Sequence, residues 1–541
     1  MVEKCDGLPL ALVVIGSILS LKTKSIKEWK LFYDQLIWEL HRNENLNHVG
    51  KILNLSYKYL PVYLKNCFLY CAMFPEDYLI HRKRLIRFCI SEGFIEQGAC
   101  SLEDIAEGYL GELVRRSMLH VVETNSFGRM KCLRMHDLVR ELAIFQSAKE
   151  SFSTIFDGNH RVIQEGLDSC RVSMLQCGKG IPSSIDPFRL RTFITCYRCM
   201  ALSSWYSSIF SKSKYLAVLD LSYLPIEVVT DSVGELFNLR LLCLDGTNVK
   251  ELPKSMTKLQ NLQTLSLERT KLLNFPQGFS KLKKLRYLFA LQLLDVTDNF
   301  FSSWEAVEPF KGLWNLNELQ TLGAIKASEL FVAKLGNLSQ LRALSISDVR
   351  SKHCAQLCVS LSKMHQLSRL RISACNEDEL LQLDDLTFPN PPQTLELYGR
   401  LSEGTLESPF FSSHGSQLLQ MKLSWCQFVE SPVTHLSKLS KLSELTLTQA
   451  YTGQQLDFHA DWFLNLKRIH LRDLPHVNQI YIHEGALVSL EHLCISGLLE
   501  LREVPVGVDF LKSLKETLLV RTLILQSICG RLSLIISHMC T

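Results

Sequence analysis

This chain lacks a dominant charge of one sign, a long apolar run, a paired cysteine motif and a glycine-rich phosphate loop. Its 59 Lys and Arg nearly balance 55 Asp and Glu, leaving a formal charge of +4, which is too small to argue for nucleic acid. No apolar run reaches the roughly 20 residues of a spanning helix. Leu8 to Leu21 has the length of a signal-peptide core and follows Met1 and Lys4, while Arg521 and Arg531 interrupt the apolar stretch from Leu518 to Ile536. No integral membrane segment is expected. The 18 cysteines are scattered, as reduced core thiols are in a reducing compartment. Cys196-Tyr-Arg-Cys199 has no second pair to complete a zinc site, so no metal is expected. G-x-x-x-x-G-K-[ST] is absent, and so are the nucleophile-elbow, paired-histidine and glycosidase patterns. Leu380 to Asp385 imitates an acidic metal-holding strand but has no phosphate loop beside it, and reads as a connector. These absences exclude the common enzyme classes.

What is present is leucine at fixed spacing. Leu216-Ala-Val-Leu219-Asp-Leu221, Leu239-Arg-Leu-Leu242-Cys-Leu244, Leu262-Gln-Thr-Leu265-Ser-Leu267 and Leu285-Arg-Tyr-Leu288 start roughly 23 residues apart, the period of leucine-rich repeats. Alternate side chains of a strand face opposite ways, so these leucines share one side. Between them, Ile226 to Leu236, Val249 to Leu259 and Leu272 to Leu282 supply a second apolar set. One unit cannot cover its leucines alone, whereas a stack can, and each fully buried Leu contributes about 1.5–3 kcal/mol. The pattern returns at Leu319, Leu341, Leu367, Leu418, Leu442, Leu466 and Leu490, with a weaker match at Leu395 and Leu397. Asp295 to Trp314 reads as an insertion loop. Leu514 should open another repeat, but Lys515-Glu516-Thr517-Leu518 loses the phase, so 517–541 reads as an atypical tail.

Ahead of the repeats the period is helical. Ile26, Trp29, Phe32, Tyr33, Leu36, Ile37 and Leu40 mark an amphipathic helix with Trp29 and Trp38 as packing anchors. Pro61 divides Val49 to Phe74 into two helices, and two more follow at Arg84 to Phe94 and Ile105 to Ser117. Leu119 to Glu123 and Met130 to Met135 flank Asn125 to Gly128 as a hairpin, and Asp137 to Ala148 is helical again. Short helices with a small hairpin predict a winged-helix domain. Cys67 and Cys71 read as core, His81-Arg82-Lys83-Arg84 as a solvated helix start, and Asn54 and Asn337 as glycosylation sequons that matter only in a secreted chain. The expected class is α/β: a helical segment at 1–46, a winged helix at 47–150, a connector with a first degenerate repeat at 151–189, and a leucine-rich-repeat solenoid at 190–516.

Four stretches occur in a telling order: Gly7-Leu8-Pro9-Leu10-Ala11, Cys67 to Asp77, Ile86 to Ile95 and Met135-His136-Asp137. Together with the repeats that follow, they resemble the distal half of plant intracellular NLR disease-resistance proteins of the coiled-coil class, here without the coiled coil and the phosphate-loop domain. The resemblance implies that Pro9 packs near the adenine of bound ADP. It also implies that Met135-His136-Asp137 is a switch motif in which His136 meets the β-phosphate. Taken by itself, Pro9 also suits a helix start, and Asp137 suits an N-cap as well as it suits a functional acid. Cys89 replaces a residue that is usually tryptophan in that family.

The family binds ADP or ATP as a switch with slow ATPase at most, so this chain is not expected to be an enzyme or to hold nucleotide tightly alone. Implied partners are a pathogen effector or guarded host protein and the missing nucleotide-binding half, without specific nucleic acid. The implied location is cytoplasmic, with the plasma membrane reached peripherally if at all. Ligand choice would lie on the exposed strand positions, where Arg369, Arg371, Lys422, Lys467, Arg468, His470 and Arg472 surround Trp425. That mixture fits a protein with an acidic patch. Two other readings remain: a secreted or membrane-tethered repeat receptor with Leu8 to Leu21 as its signal, and an ATP-hydrolysing enzyme, against which the absent phosphate loop argues.

Overall fold

The computed structural model describes residues 5, 8–42, 48–156, 169–175, 185–196, 211–293, 301, 304–411 and 417–520. They form two compact units, one within 1–248 and 261–264, the other within 249–260 and 265–541.

The first unit begins with helices. Pro9 occupies the first turn of α1 (Pro9–Ser20), where its missing N–H costs nothing. Ala11, Val14, Ile15 and Ile18 are buried at helical spacing, which makes the Leu8 to Leu21 run a core helix of 12 residues. In α2 (Ile26–Arg42) the inward line is Phe32 and Leu36, both fully buried. Trp29 and Trp38 are 40% and 52% exposed and do not anchor the helix. At about 100° per residue Trp38 lies some 200° round from Leu36, on the opposite side.

Pro61 separates α3 (His48–Lys58) from α4 (Val62–Cys71), and α4 buries Cys67 and Cys71 in the helical core. Asn54 is buried on α3 and accepts from Gln146 Nε2 at 2.5 Å, so that sequon is closed to a glycan, whereas Asn337 is exposed. After the two-residue strand β1 (Ile80–His81), α5 (Arg82–Glu92) ends at Gly93, whose φ of 80° favours a residue without Cβ. Ser101 caps α6 (Leu102–Arg115) by accepting from Asp104 N at 3.2 Å. The hairpin β2 (His120–Thr124) and β3 (Met130–Arg134) recruits β1 into an antiparallel sheet of order β1-β3-β2, followed by α7 (Asp137–Lys149). This is a winged helix. The sequence shows its hairpin but not β1, because two residues carry no alternation.

Parallel strands follow: β4 (Thr154–Phe156), β5 (Arg171–Met174), β6 (Thr192–Thr195), β7 (Val218–Asp220) and β8 (Leu241–Cys243). The ladder therefore begins at Thr154, before residue 190. Its register runs Thr154↔Val172, Val172↔Phe193 and Phe193↔Leu219, so β-branched and aromatic side chains take positions that leucine holds later.

The second unit continues the pattern from Leu265 to Glu516–Val520. The strands Arg369–Ala374, Thr394–Tyr398, Gln420–Ser424, Glu444–Thr448, Arg468–Arg472 and His492–Ser496 pair in parallel without register slip. Leu370, Leu395, Met421, Leu445, Ile469 and Leu493 form one buried row and Ile372, Leu397, Leu423, Leu447, Leu471 and Ile495 the next. Asn390 and Asn465 each donate at 2.8 Å to a backbone carbonyl 25 residues back, stitching turn to turn. Gly399 has φ 122° and a Cβ there would overlap Ala374.

Two expectations for this unit do not hold. Trp304–Glu305 pairs antiparallel with Gln292–Leu293 outside the ladder, as an insertion would, but Val307 bridges Ile325 in parallel and Leu313 and Trp314 are buried in a 3-10 turn, so the last part of the expected insertion, from Val307, is repeat structure. At the far end Glu516–Val520 pairs residue for residue with His492–Ser496. Thr517 stands opposite Leu493 and Leu519 opposite Ile495, so the phase survives one non-leucine. Residues from 521 onward lie outside the described set.

Candidate functional site

Met135 is buried and anchors the end of the hairpin, while His136 and Asp137 are exposed. His136, not Asp137, is the N-cap of α7: its Nδ1 accepts from Leu138 N at 3.3 Å. Asp137 already has helical backbone, which leaves its carboxylate to favour the positive end of the helix dipole. An imidazole accepting through Nδ1 is the tautomer that carries its proton on Nε2, so His136 presents an N–H donor beside a helix N-terminus. His120 lies 6.4 Å away, ring to ring, and burial together with the charges of His136 and Arg134 lowers its pKa. Pro9, exposed at the head of α1, is linked to this layer through α3, which packs on both α1 and α7. No hydrogen bond joins Pro9 to His136 among the described residues.

Two buried carboxylates tie the winged helix to the first strands of the ladder. Glu92, the last residue of α5, is completely buried and receives Arg171 Nε at 3.2 Å and Arg191 Nε at 3.3 Å, with Thr192 Oγ1 also donating. Arg191 additionally donates to the Glu92 carbonyl at 2.7 Å, and the Arg171 guanidinium lies 4.4 Å over Phe152. Asp220 of β7 is likewise buried and meets Arg84 of α5 at 2.5 Å, with Ser222 N and Oγ completing its shell. Arg82 is buried too, against Glu107. The basic run at 81–84 is thus a helix start of which only His81 and Lys83 stay exposed, while Arg82 and Arg84 turn inward to carboxylates. Nothing in the spacing flags these acids, because their partners lie 79 to 136 residues away in sequence.

The predicted ligand face divides into two groups. Arg369 and Arg468 share one register column, but Thr394, Gln420 and Glu444 stand between them. Four strand steps of about 4.8 Å put them roughly 19 Å apart. At the first group Arg371 lies 4.2 Å over Tyr398, which is 6.4 Å from Trp425, while Phe301 meets Trp425 edge-on at 5.6 Å. Lys422 is partly neutralised by Glu396 at 3.8 Å. The second group is Arg468, His470 and Arg472. Lys467 precedes that strand and pairs with Glu491 at 3.9 Å. Spacing alone does not point to Tyr398 or Phe301. Tyr398 does follow Leu395-Glu-Leu397 as a polar-face residue should, but Phe301 reaches the site from a distant segment.

Burial lowers the pKa of His470, and Lys422, Arg468 and Arg472 push the same way against Glu444. The folded chain therefore binds fewer protons here than the unfolded chain does, so stability rises with pH through this range. The expected outcome is a Tm that falls as pH drops below about 6.5, the unfolded value, with His470→Gln flattening the profile. Thermal melts at pH 7.5 and 5.5 check it.

Cys196 is pushed up to about 12 by burial, which disfavours the metal-binding thiolate; Cys199 lies outside the described residues. Among the described residues no group of three His, Cys, Asp or Glu could hold a metal, and no helix is long and apolar enough to cross a membrane.

Comparison with known proteins places these features. Residues 189–522 match the model of the leucine-rich repeat region, and residues 73–143 match the disease resistance protein winged helix domain. Arabidopsis thaliana disease resistance protein RPM1 is 35% identical over 96% of this chain and 56% of its own length. The disease susceptibility protein LOV1 of the same plant is 31% identical, over 96% and 57%. The chain spans little more than half of these relatives. Among solved structures, a Leptospira interrogans leucine-rich-repeat protein is 21% identical, with a TM-score of 0.44 over 66% of this chain and 86% of that one. The chain belongs to the leucine-rich-repeat family, joined here to the winged helix of plant disease-resistance proteins.

Proposed function

We propose that this chain is the sensing and winged-helix portion of an intracellular plant immune receptor, in which the repeats bind a pathogen effector or guarded host protein and bias an ADP/ATP switch. The observation that carries this reading is the buried pair of Glu92 and Asp220 contacts. A load on the first strands reaches α5 through ion pairs to two completely buried carboxylates rather than through a flexible linker. His136 would read the nucleotide, its Nε2–H aimed at a diphosphate, and Pro9 would sit by the purine. Arg371 on Tyr398 beside Trp425 would form the anchor for an acidic partner, because a desolvated aromatic cluster with one cation concentrates binding energy. The enclosed Asn54 supports this reading over a secreted one.

Titration of ADP tests the proposal. The chain alone is expected to show no saturation below about 100 µM, since most phosphate contacts of such sites come from a phosphate loop. Mixed with the phosphate-loop half of a disease-resistance relative, it should co-purify and bind ADP, and His136→Ala should weaken that binding at least about tenfold without disturbing co-purification. Micromolar affinity for the chain alone, or an unchanged affinity in the variant, overturns the reading.

A further inference from the structure

Residues 249–291 carry seven lysines and two arginines against two glutamates, a balance of +7 inside a chain whose total is +4. All remaining residues together are therefore net negative, and the positive field is local. The lysines are placed by the repeat. Lys258 and Lys281 each precede the leucine that closes a 3-10 turn, at Leu259 and Leu282, so the same position recurs one repeat later. Lys254 opens the first of these turns, and the two turns pack side by side. Lys271 N donates to Val249 O at 3.0 Å, which brings Lys271 next to Lys250. Lys250, Lys254, Lys258, Lys271 and Lys281 are all exposed. None of the five has a carboxylate within salt-bridge distance among the described residues. Their position is set by the 3-10 turns and adjoining loops, away from the strand positions that carry Arg371 and Trp425.

We infer that this lysine field docks on an anionic phospholipid surface. The composition decides the kind of partner. Protein hot spots are rich in Trp, Tyr and Arg, and single-stranded nucleic acid needs aromatic stacking. Here the exposed cations are seven lysines against one arginine, Arg269, and the apolar side chains Met256 and Phe279 point into the core. Compact, mobile ammonium groups suit a layer of laterally mobile phosphate headgroups, which imposes no fixed geometry, and each lysine near such a surface strengthens attraction appreciably. The field acts within the Debye length of about 8 Å at physiological salt.

Co-sedimentation of the full chain with vesicles tests this. Vesicles of 30% phosphatidylserine in phosphatidylcholine are expected to pellet the chain at 0.1 M NaCl and release it at 0.5 M, while pure phosphatidylcholine does neither. The Lys254→Glu, Lys258→Glu, Lys281→Glu triple variant should bind about 100-fold more weakly. Lys438→Glu with Lys441→Glu, a control elsewhere on the repeats, should bind as the parent does. Equal melting curves for all three proteins exclude unfolding as the cause. Failure to pellet, or equal binding by the triple variant, overturns the inference. Tighter binding to a 20-base-pair duplex than to the charged vesicles at the same salt overturns it in favour of nucleic acid.

Discussion

Replacing Glu92 with alanine is expected to destabilise the first unit by about 3–5 kcal/mol, because removing one partner of a buried ion pair strands the other inside. Arg171 and Arg191 both point at that carboxylate; Arg191, 41% exposed, keeps water, whereas Arg171, 13% exposed and held over Phe152, is the charge left stranded. Thr192 Oγ1 loses its acceptor as well. For a unit of this size the change corresponds to a fall in Tm of roughly 6–20 °C. Glu92→Gln should lie between the two, since its amide oxygen still accepts one hydrogen bond but carries no charge. Calorimetry of the three proteins checks this. A shift below about 2 °C for the alanine variant would show that the arginines find water or other acceptors, and that α5 is not clamped to β5 and β6. The same result would remove the observation on which the proposed coupling of repeats and switch rests.

Phe279→Ala is the second large effect, about 3–5 kcal/mol, for a different reason. Phe279 is fully buried in a 3-10 turn, within 5.4 Å of Phe275 and 5.6 Å of Phe310, ring to ring. Those three rings knit successive repeats together. Truncation leaves a cavity that the stacked turns on either side cannot close without breaking their own leucine contacts. In a repeat stack the cost is felt between neighbours rather than evenly. Amide exchange should therefore speed up over the strands near Thr264–Ser266, Tyr287–Phe289 and Thr321–Lys326 while Arg468–Arg472 keeps its protection. Uniform loss of protection along the unit would show that it melts as one block.

Much of this was legible from spacing alone. Leucine at every second strand position, renewed roughly every 23 residues, leaves a parallel stack as the arrangement that covers the apolar side of each strand. The helical period before it and the hairpin at Asn125 to Gly128 were equally plain. The readings that failed did so for identifiable reasons. Size points to Trp29 and Trp38 as anchors, but the smaller Phe32 and Leu36 hold the inward line of α2. Thr517 hid a strand because a threonine can stand where leucine usually does, provided the backbone pairs on through it. Asp137 has the chemistry of a cap, yet the chain enters α7 one residue earlier, so His136 takes that place.

The amino-acid order by itself determined the repeat and the winged helix, because each rests on neighbours within a turn or a strand. Only the tertiary structure decided which charges are partners. Glu92 and Asp220 find arginines far along the chain, and Phe301 finds Trp425, since burial removes water as the competing ligand and leaves only groups the fold has brought within reach. No local pattern encodes such a meeting.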